Sequence, residues 1–290
     1  MTVVRMFGTL MAVALLTLSS ACEVDEIEVA YLSIPGVAVT PRGTLEPDGI
    51  AALRVVRGDT SLGFYPIPAD VPLLGLGTAT LSVEPAVRRS GLSEELLVYP
   101  LYQPVTQTLS LAPGRTDTIR PIFNYRPEAV VALDEGFESR SSILIRDLAA
   151  EGSAPLTRVT EGVRAGSGSG LVTLTAATPV YEVASAVVRP DRASILDLWV
   201  ELDFRGDGVL ALALFSEAPT LAAPGEPLSA RYFQGALPRE EWAKFYFDIV
   251  DDSNRAFLAD GFRVSLLAIY NEDLGAEQRL YLDNLRVVYR

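Results

Sequence analysis

One stretch of the sequence places an aromatic ring and three carboxylates on one side of a predicted strand. The run 195–204 alternates apolar and polar residues, as a strand with one buried face does. Its inward positions are Leu196, Leu198, Val200, Leu202 and Phe204. The opposite face carries Asp197, Trp199, Glu201 and Asp203. An indole stacks on a sugar ring while carboxylates accept hydrogen bonds from hydroxyl groups, so we predict a ligand-binding site at Trp199, Glu201 and Asp203. The alternative is a tryptophan covered by a neighbouring loop above a solvated acidic face.

A second aromatic and polar face follows on the run 242–249, which carries Trp242, Lys244, Tyr246 and Asp248. We include Trp242 among the candidate ligand-binding residues, with packing as the alternative interpretation. A glycosidase would need two acids about 5–10 Å apart across a cleft, and its candidates are Glu201, Asp203 and Asp248. Nothing in their spacing distinguishes a general acid, so we predict that the protein is not an enzyme.

The composition excludes several kinds of chemistry. The sequence contains no histidine, which removes histidine-dependent triads and the common zinc sites. Any metal must then be held by oxygen atoms, which favours calcium. The net charge is −13, and an acidic chain lacks the basic stripe that phosphate backbones require, so we predict no nucleic-acid partner. The single cysteine, Cys22, excludes an internal disulfide bond.

The first 22 residues have the layout of an export signal. Arg5 precedes an apolar run at 6–18, which is shorter than the about 20 residues of a membrane span. Small residues stand directly before Cys22: Ser19, Ser20 and Ala21. This pattern resembles the signal of bacterial lipoproteins, which implies a signal peptide at 1–21 and lipidation of Cys22. An ordinary secretory signal with an incidental cysteine is the alternative.

The lipoprotein resemblance also implies a location. It places the protein at the bacterial outer membrane, held through its N-terminal lipid, and leaves the periplasmic and the outer face both open. The acidic segment 23–26 is similar to the surface-export signals of some Bacteroidota lipoproteins, with a solvated tether as the alternative.

The elements that must position these residues are short strands. Length and hydrophobic content fit two domains, and alternating runs separated by glycine and proline turns predict an all-β fold. In the first domain, 22–126, strands flank a proline-rich loop at 66–72, an order that resembles the small PEGA-type β-domains of bacterial envelope proteins. The runs 105–111 and 116–125 are spaced as an antiparallel hairpin with a four-residue loop, 112–115.

The second domain, 127–290, begins and ends on two short motifs. Gly136-Phe137-Glu138 lies near its first strand, and Tyr281-Leu282-Asp283-Asn284 lies in its last. The pair resembles carbohydrate-binding β-jelly-roll modules. The resemblance implies a jelly-roll sandwich whose last strand lies beside its first, and a structural calcium ion held by Glu138 and Asp283. The alternative for these acids is bonding to backbone groups or water.

Two functions fit this organisation. The first is a non-catalytic, lipid-anchored cell-envelope protein that binds a glycan or another surface component through its jelly roll. The second is a structural or assembly subunit of an outer-membrane protein complex. An exposed Trp199 favours the first function, and a broad apolar patch on an outer face favours the second.

Overall fold

A computed structural model describes residues 29–40, 49–148, 152–190, 195–216, 231–250 and 261–290. Strands are the main regular secondary structure of these residues, and one short 3₁₀ turn, Glu272–Leu274, follows the penultimate strand. The strands form two groups of packed sheets, one in the N-terminal half (29–126) and one in the C-terminal half (127–290). The predicted all-β sandwich class is therefore confirmed.

The described part of the N-terminal half contains ten strands, which in chain order are β1 (Val29–Ile34), β2 (Ala38–Val39), β3 (Ala52–Arg57), β4 (Thr60–Pro66), β5 (Ala69–Leu74), β6 (Gly77–Arg88), β7 (Leu96–Val98), β8 (Val105–Leu111), β9 (Thr116–Thr118) and β10 (Ile122–Phe123). One five-stranded sheet has the order β4-β3-β6-β7, with β8 also paired to β6. A three-stranded sheet, β5-β1-β9, and the pair β10-β2 complete this half. Buried leucines and valines of these sheets form its core.

The predicted hairpin of the runs 105–111 and 116–125 is wrong. Strand β8 pairs antiparallel with β6, whereas β9 pairs parallel with β1 in the other sheet. The connection therefore crosses between two sheets. A four-residue loop permits a hairpin, but the open edges of β6 and β1 offer each strand a different partner, and sequence spacing does not report that competition.

Among the described residues of the C-terminal half there are eleven strands, which in chain order are β11 (Val130–Glu135), β12 (Leu144–Asp147), β13 (Leu156–Val159), β14 (Ser169–Thr175), β15 (Val180–Ser185), β16 (Leu198–Gly206), β17 (Leu210–Ser216), β18 (Arg231–Ala236), β19 (Arg239–Asp248), β20 (Phe262–Ile269) and β21 (Glu277–Tyr289). The six-stranded sheet has the order β13-β14-β21-β16-β19, with β11 also on β21. The five-stranded sheet has the order β12-β15-β20-β17-β18. Side chains of both sheets share one core.

The closing strand organises the six-stranded sheet as the sequence predicts. Strand β21 pairs antiparallel with β11, from Val130 opposite Tyr289 to Glu135 opposite Leu285. Its other edge pairs with β16, whose Val200, Leu202 and Phe204 are fully buried in the core. The inward assignment of Leu196 is wrong, because β16 begins only at Leu198 and the Leu196 side chain is 72% exposed.

The outer face of the six-stranded sheet packs against the N-terminal half. Trp199, Tyr246 and Val288 come from β16, β19 and β21, yet all three belong to the hydrophobic cluster of the N-terminal half. The two halves therefore share apolar contacts across this face. A domain boundary between residues 126 and 127 stays a prediction.

Candidate ligand-binding cleft

The predicted sugar site on β16 is buried beneath the N-terminal half. Trp199 is 3% exposed, Glu201 is fully buried and Asp203 is 1% exposed. The ring of Tyr99 meets Trp199 edge-on, with 5.2 Å between the ring centroids. A covered indole cannot stack on a sugar, so the ligand-binding assignment of Trp199, Glu201 and Asp203 is corrected. Alternation identifies the face that points out of the sandwich, but it does not reveal that another sheet covers that face.

Glu201 lies in a pocket of hydrogen-bond donors. The hydroxyl groups of Tyr99 and Tyr125 donate to its Oε1 at 2.5 Å and 2.6 Å. The Lys244 Nζ lies 3.4 Å from its Oε2. Burial raises the pKa of Tyr99 and Tyr125 well above the usual range, and the negative charge of Glu201 raises both further. Both hydroxyls therefore stay protonated and keep donating to the carboxylate.

Asp203 lies in the same buried cluster. The Asn284 side-chain amide donates to its Oδ2 at 2.6 Å, and Lys244 Nζ lies 3.8 Å from that oxygen. Arg164 Nε lies 3.7 Å from Oδ1. Two of the three acids of the glycosidase alternative, Glu201 and Asp203, are thus committed to contacts inside the protein. A substrate has no access to this pair, so the pair does not form a glycosidase site.

The two acids predicted for calcium bind one loop, 165–169: Asp283 bonds its two ends and Glu138 bonds its middle. Glu138 accepts hydrogen bonds from the Ser167 backbone N–H at 2.9 Å and from its hydroxyl at 2.7 Å. Asp283 accepts from the Ser169 hydroxyl at 2.9 Å, and from the backbone N–H groups of Ala165 and Asn284. Burial raises the pKa of Asp283 to about 6.

These contacts do not fit a calcium site, because N–H and O–H donors occupy the carboxylate oxygens that a cation would need. Within the described part of the chain, no three acidic, cysteine or histidine residues come together in a group that could hold a metal ion. Calcium at Glu138 and Asp283 stays a prediction, which the hydrogen bonding of both side chains does not favour.

Beside the buried cluster, a cleft opens along the seam between the two halves. Its volume is about 660 Å³, within the range of about 300–1,000 Å³ typical of ligand pockets. The N-terminal half contributes 49–51 and residues of the turn 88–94. The C-terminal half contributes Arg164 and the segment 237–246, which includes Trp242. The structure thus places the fourth predicted ligand-binding residue on an accessible surface.

Two glycines bring the halves close enough to form this cleft. A Cβ on Gly91 would lie 2.3 Å from the backbone oxygen of Gly235. Gly49 has a φ of +76°, and a Cβ there would lie 2.8 Å from the Lys244 backbone oxygen. Both contacts are tighter than any side chain allows, so glycine is required where the N-terminal half meets β18 and β19 of the other half.

Trp242 is half-buried and held by polar contacts. Its indole N–H donates to the Gly162 backbone oxygen at 3.2 Å. The Arg205 guanidinium lies 5.4 Å from the Trp242 ring centroid and 4.2 Å from that of Tyr281. Such cation–π contacts fix a ring without covering all of it. The indole is therefore pre-positioned at the wall of the cleft.

Sequence reasoning missed the charged residues of the cleft. Arg88, Glu94 and Arg239 line it from the ends of strands and from a turn, where no periodic pattern marks them. The sequence offers a signal for Arg239 only, because it lies three residues before the predicted site residue Trp242. Bringing Arg88 to the same cleft requires the packing of the two halves.

The predicted lipidation site, Cys22, and the signal peptide lie outside the described residues. Among the described residues, no helix is long and apolar enough to cross a membrane.

No protein-family model matches the chain, and no curated relative matches it. Among solved structures it is similar to the CBM22-1 xylan-binding domain from Paenibacillus barcinonensis, at 11% identity over 56% of this chain and 95% of that one, with a TM-score of 0.34. It is also similar to a family 30 carbohydrate-binding module of a Clostridium thermocellum cellulase, at 10% identity over 53% and 96% of the two chains, with a TM-score of 0.38. A carbohydrate-binding module of the β-sandwich superfamily matches 89% of this chain and 98% of its own, at 11% identity and a TM-score of 0.39. Likenesses this distant transfer no ligand, so the function must be argued from the residues of the cleft.

Proposed function

We propose that this protein binds a glycan without catalysis, in the cleft beside Trp242. The observation that carries the proposal is a half-buried, pre-positioned indole at the wall of a ligand-sized cleft. An indole offers an apolar face to the C–H groups of a sugar ring, and the arginines around it donate hydrogen bonds to hydroxyl or acid groups. This combination suits a saccharide better than a purely apolar ligand.

The described lining of the cleft offers no pair of acids for hydrolysis. The only carboxylate that lines it among the described residues is Glu94, which is exposed and lies 2.9 Å from Arg88 Nε. Glycoside hydrolysis needs two carboxyl groups flanking one bond. Binding without turnover is therefore the role that the lining residues support.

The cell-envelope setting is part of the same proposal. A lipid on Cys22 would hold the protein at the bacterial outer membrane and present the cleft to envelope glycans. Its support is the small residues before the sole cysteine of the chain. Radiolabelled palmitate should appear on the wild-type protein and be absent from Cys22→Ser. Equal labelling of the two proteins would contradict the anchor.

The test of the binding function is a glycan array probed with residues 23–290, beside Trp242→Ala and the control Tyr31→Ala. Tyr31 is an exposed aromatic residue on β1 and does not line the cleft. We expect specific signals that Trp242→Ala loses at least about tenfold, as removal of a stacking platform should, and that Tyr31→Ala retains. Undiminished binding by Trp242→Ala would remove the site.

A second candidate function rests on a different surface. The outer face of the β1–β5 pair carries an apolar row in which Tyr31 lies opposite Pro72 and Val29 opposite Leu74. Tyr31 is 41% exposed and Leu74 59% exposed. Adjacent exposed apolar residues are typical of contact surfaces, which favours the assembly-subunit function.

The assembly function makes a separate prediction about size. In native gels of mild detergent extracts, the wild-type protein should migrate in a complex that Leu74→Glu disrupts. Asp70→Asn, also on the outer face of β5, should leave the complex intact. Migration of the wild-type protein as a monomer would exclude this candidate.

A further inference from the structure

The charge of the cleft opposes the charge of the whole chain. The protein carries a net charge of −13, yet among the described residues four cationic side chains line the cleft against one carboxylate, that of Glu94: Arg88, Arg164, Arg239 and Lys244. An acidic protein that gathers cations around one concave surface creates a local positive potential there. The question is which of these charges remain for a ligand.

Two of the cations are already committed to buried acids. The side chain of Lys244 is 2% exposed and lies near both Glu201 and Asp203. Arg164 lies 3.7 Å from Asp203. These two cations balance the buried carboxylates beneath the cleft, so they contribute little free charge to it.

The other two arginines are available at the surface. Arg239 is exposed, and its guanidinium lies 5.5 Å from the ring centroid of Phe245. Among the described residues, no carboxylate lies within ion-pair distance of Arg239. Arg88 pairs with Glu94, but both side chains are exposed, at 49% and 88%. An exposed pair of this kind is worth at most about 1 kcal/mol, so a ligand can displace Glu94 from Arg88.

We infer that the ligand of this cleft is an acidic glycan, one that carries carboxylate or sulfate groups. This inference rests on the proposed glycan-binding function. Trp242 packs against a sugar ring, while Arg239 and Arg88 receive the acid groups. The planar guanidinium fork matches a carboxylate or sulfate in two parallel hydrogen bonds, which gives arginine an advantage over a point charge.

The net charge of the chain does not prevent this recognition. At physiological ionic strength the screening length is about 8 Å, so distant acidic groups on the protein act weakly on a ligand in the cleft. The arginines lie within contact distance of that ligand and are screened much less. The arginines therefore act on the ligand more strongly than acidic groups beyond about 8 Å do.

The experiment is titration calorimetry of residues 23–290 with three sets of oligosaccharides of equal length. The sets are galacturonate oligomers, their methyl esters, and sulfated oligomers. We expect the acidic oligomers to bind at least about tenfold more tightly than the methyl esters, since a charge-assisted bidentate pair is lost on esterification. Binding of the sulfated set alone would identify sulfate as the acid group.

Variants separate this inference from the function on which it rests. Arg239→Gln should weaken acidic oligomers at least about tenfold and bring them to the level of the esters. The control Arg115→Gln removes an exposed arginine that pairs with Asp117 away from the cleft, and should bind as the wild type does. Trp242→Ala should lose acidic and neutral oligomers alike.

Two outcomes would overturn the claims. Equal binding of acids and esters, with Arg239→Gln unchanged, would remove the acidic ligand and leave glycan binding in place. Absence of any binding, in calorimetry and on the array, would remove both.

Discussion

The side chain of Glu201 points away from the core of its own sandwich. The N-terminal half covers it and excludes water from its carboxylate. A buried carboxylate is tolerated only when donors and opposite charges surround it. Tyr99, Tyr125 and Lys244 provide them. Residues from both halves therefore stabilise one buried charge. The contact between the halves depends on these polar partners as well as on apolar packing.

Removal of one hydrogen-bond donor to Glu201 should lower the stability of the fold. We expect Tyr99→Phe to lower the free energy of unfolding by about 1.5–3 kcal/mol, the range for a hydrogen bond to a charged group. Urea denaturation measures the loss. The control Tyr31→Phe removes an exposed hydroxyl and should stay within about 0.5 kcal/mol of the wild type. Equal stability of the two variants would show that the Tyr99 contact contributes nothing net.

Asp283 predicts a pH dependence of stability. Its pKa is raised to about 6 in the folded protein, mainly by burial, whereas an unfolded aspartate titrates near about 3.9. The folded state therefore binds the proton more tightly, and this group destabilises the fold as pH rises from about 4 to about 6. The full difference between the two pKa values corresponds to about 3 kcal/mol, and solvent screening reduces the expected effect to about 1–2 kcal/mol.

The measurement compares the wild type with Asp283→Asn by urea denaturation between about pH 4 and pH 6.5. The asparagine does not titrate, so the stability of the wild type relative to the variant should rise as pH falls. Gly36→Ala changes no titratable group, so its stability relative to the wild type should stay constant with pH. A difference between wild type and Asp283→Asn that stays constant with pH would contradict the assignment.

At the scale of elements, the seam depends on close approach of a turn and a strand. The turn between β6 and β7 meets β18, where Gly91 and Ala236 form an isolated parallel bridge. The Asp248 backbone N–H also donates to the Arg89 backbone oxygen at 3.3 Å. Backbone contacts of this kind leave no room for side chains at the crossing point.

Gly91→Ala should therefore damage the seam. The added Cβ would lie 2.3 Å from the Gly235 oxygen and 2.7 Å from the Phe245 ring, and a backbone oxygen cannot move aside alone. We expect a loss of about 1–3 kcal/mol in the free energy of unfolding, as for other overpacked contacts. Gly36→Ala is the control, because no atom lies within 4 Å of its Cβ position. An undiminished stability of Gly91→Ala would mean that the turn is free to shift.

The elements themselves were the part of the fold most accessible from the sequence. Alternation located β16, and the resemblance carried by the motifs at 136–138 and 281–284 implied that the last strand lies beside the first, as β21 and β11 do. The place of β16 depends on local periodicity, which one sequence contains, whereas the pairing of β21 with β11 was available only through the resemblance. The pairing of β8 and β9 was mispredicted because it depends on competition between sheet edges.

The site was less predictable than the strands for a related reason. Period-two alternation correctly placed Trp199 and Glu201 on one face. Whether that face is exposed or covered depends on how the two halves pack. Trp242 lies at the edge of the covered area and keeps its place at the cleft. The difference between the two tryptophans is set by contacts between residues far apart in sequence, such as Tyr99 with Trp199, which are one hundred residues apart.

At the scale of the whole molecule, the shared core determines how the halves behave together. Trp199 packs against Tyr99, and Tyr246 of β19 meets the same tyrosine ring at 4.8 Å between centroids. Separating the halves would expose these rings and leave Glu201 without its tyrosine donors. Multidomain chains often unfold in steps, but a buried charge and aromatic rings at one interface couple the two parts.

We therefore expect the two halves to unfold in one transition. The variant Trp242→Phe leaves Trp199 as the sole tryptophan, so its fluorescence reports on the interface while far-UV circular dichroism reports on all strands. In a denaturant titration the two signals should share one midpoint, because the interface cannot open while both sandwiches stay intact.

The reciprocal variant Trp199→Phe leaves Trp242 as the fluorescence reporter beside the cleft. Its fluorescence and circular dichroism should also share one midpoint. That midpoint should lie at a lower denaturant concentration because a buried indole is lost. A Trp199 fluorescence change that precedes the loss of circular dichroism would show that the halves separate first, and that the cleft between them opens before either half unfolds.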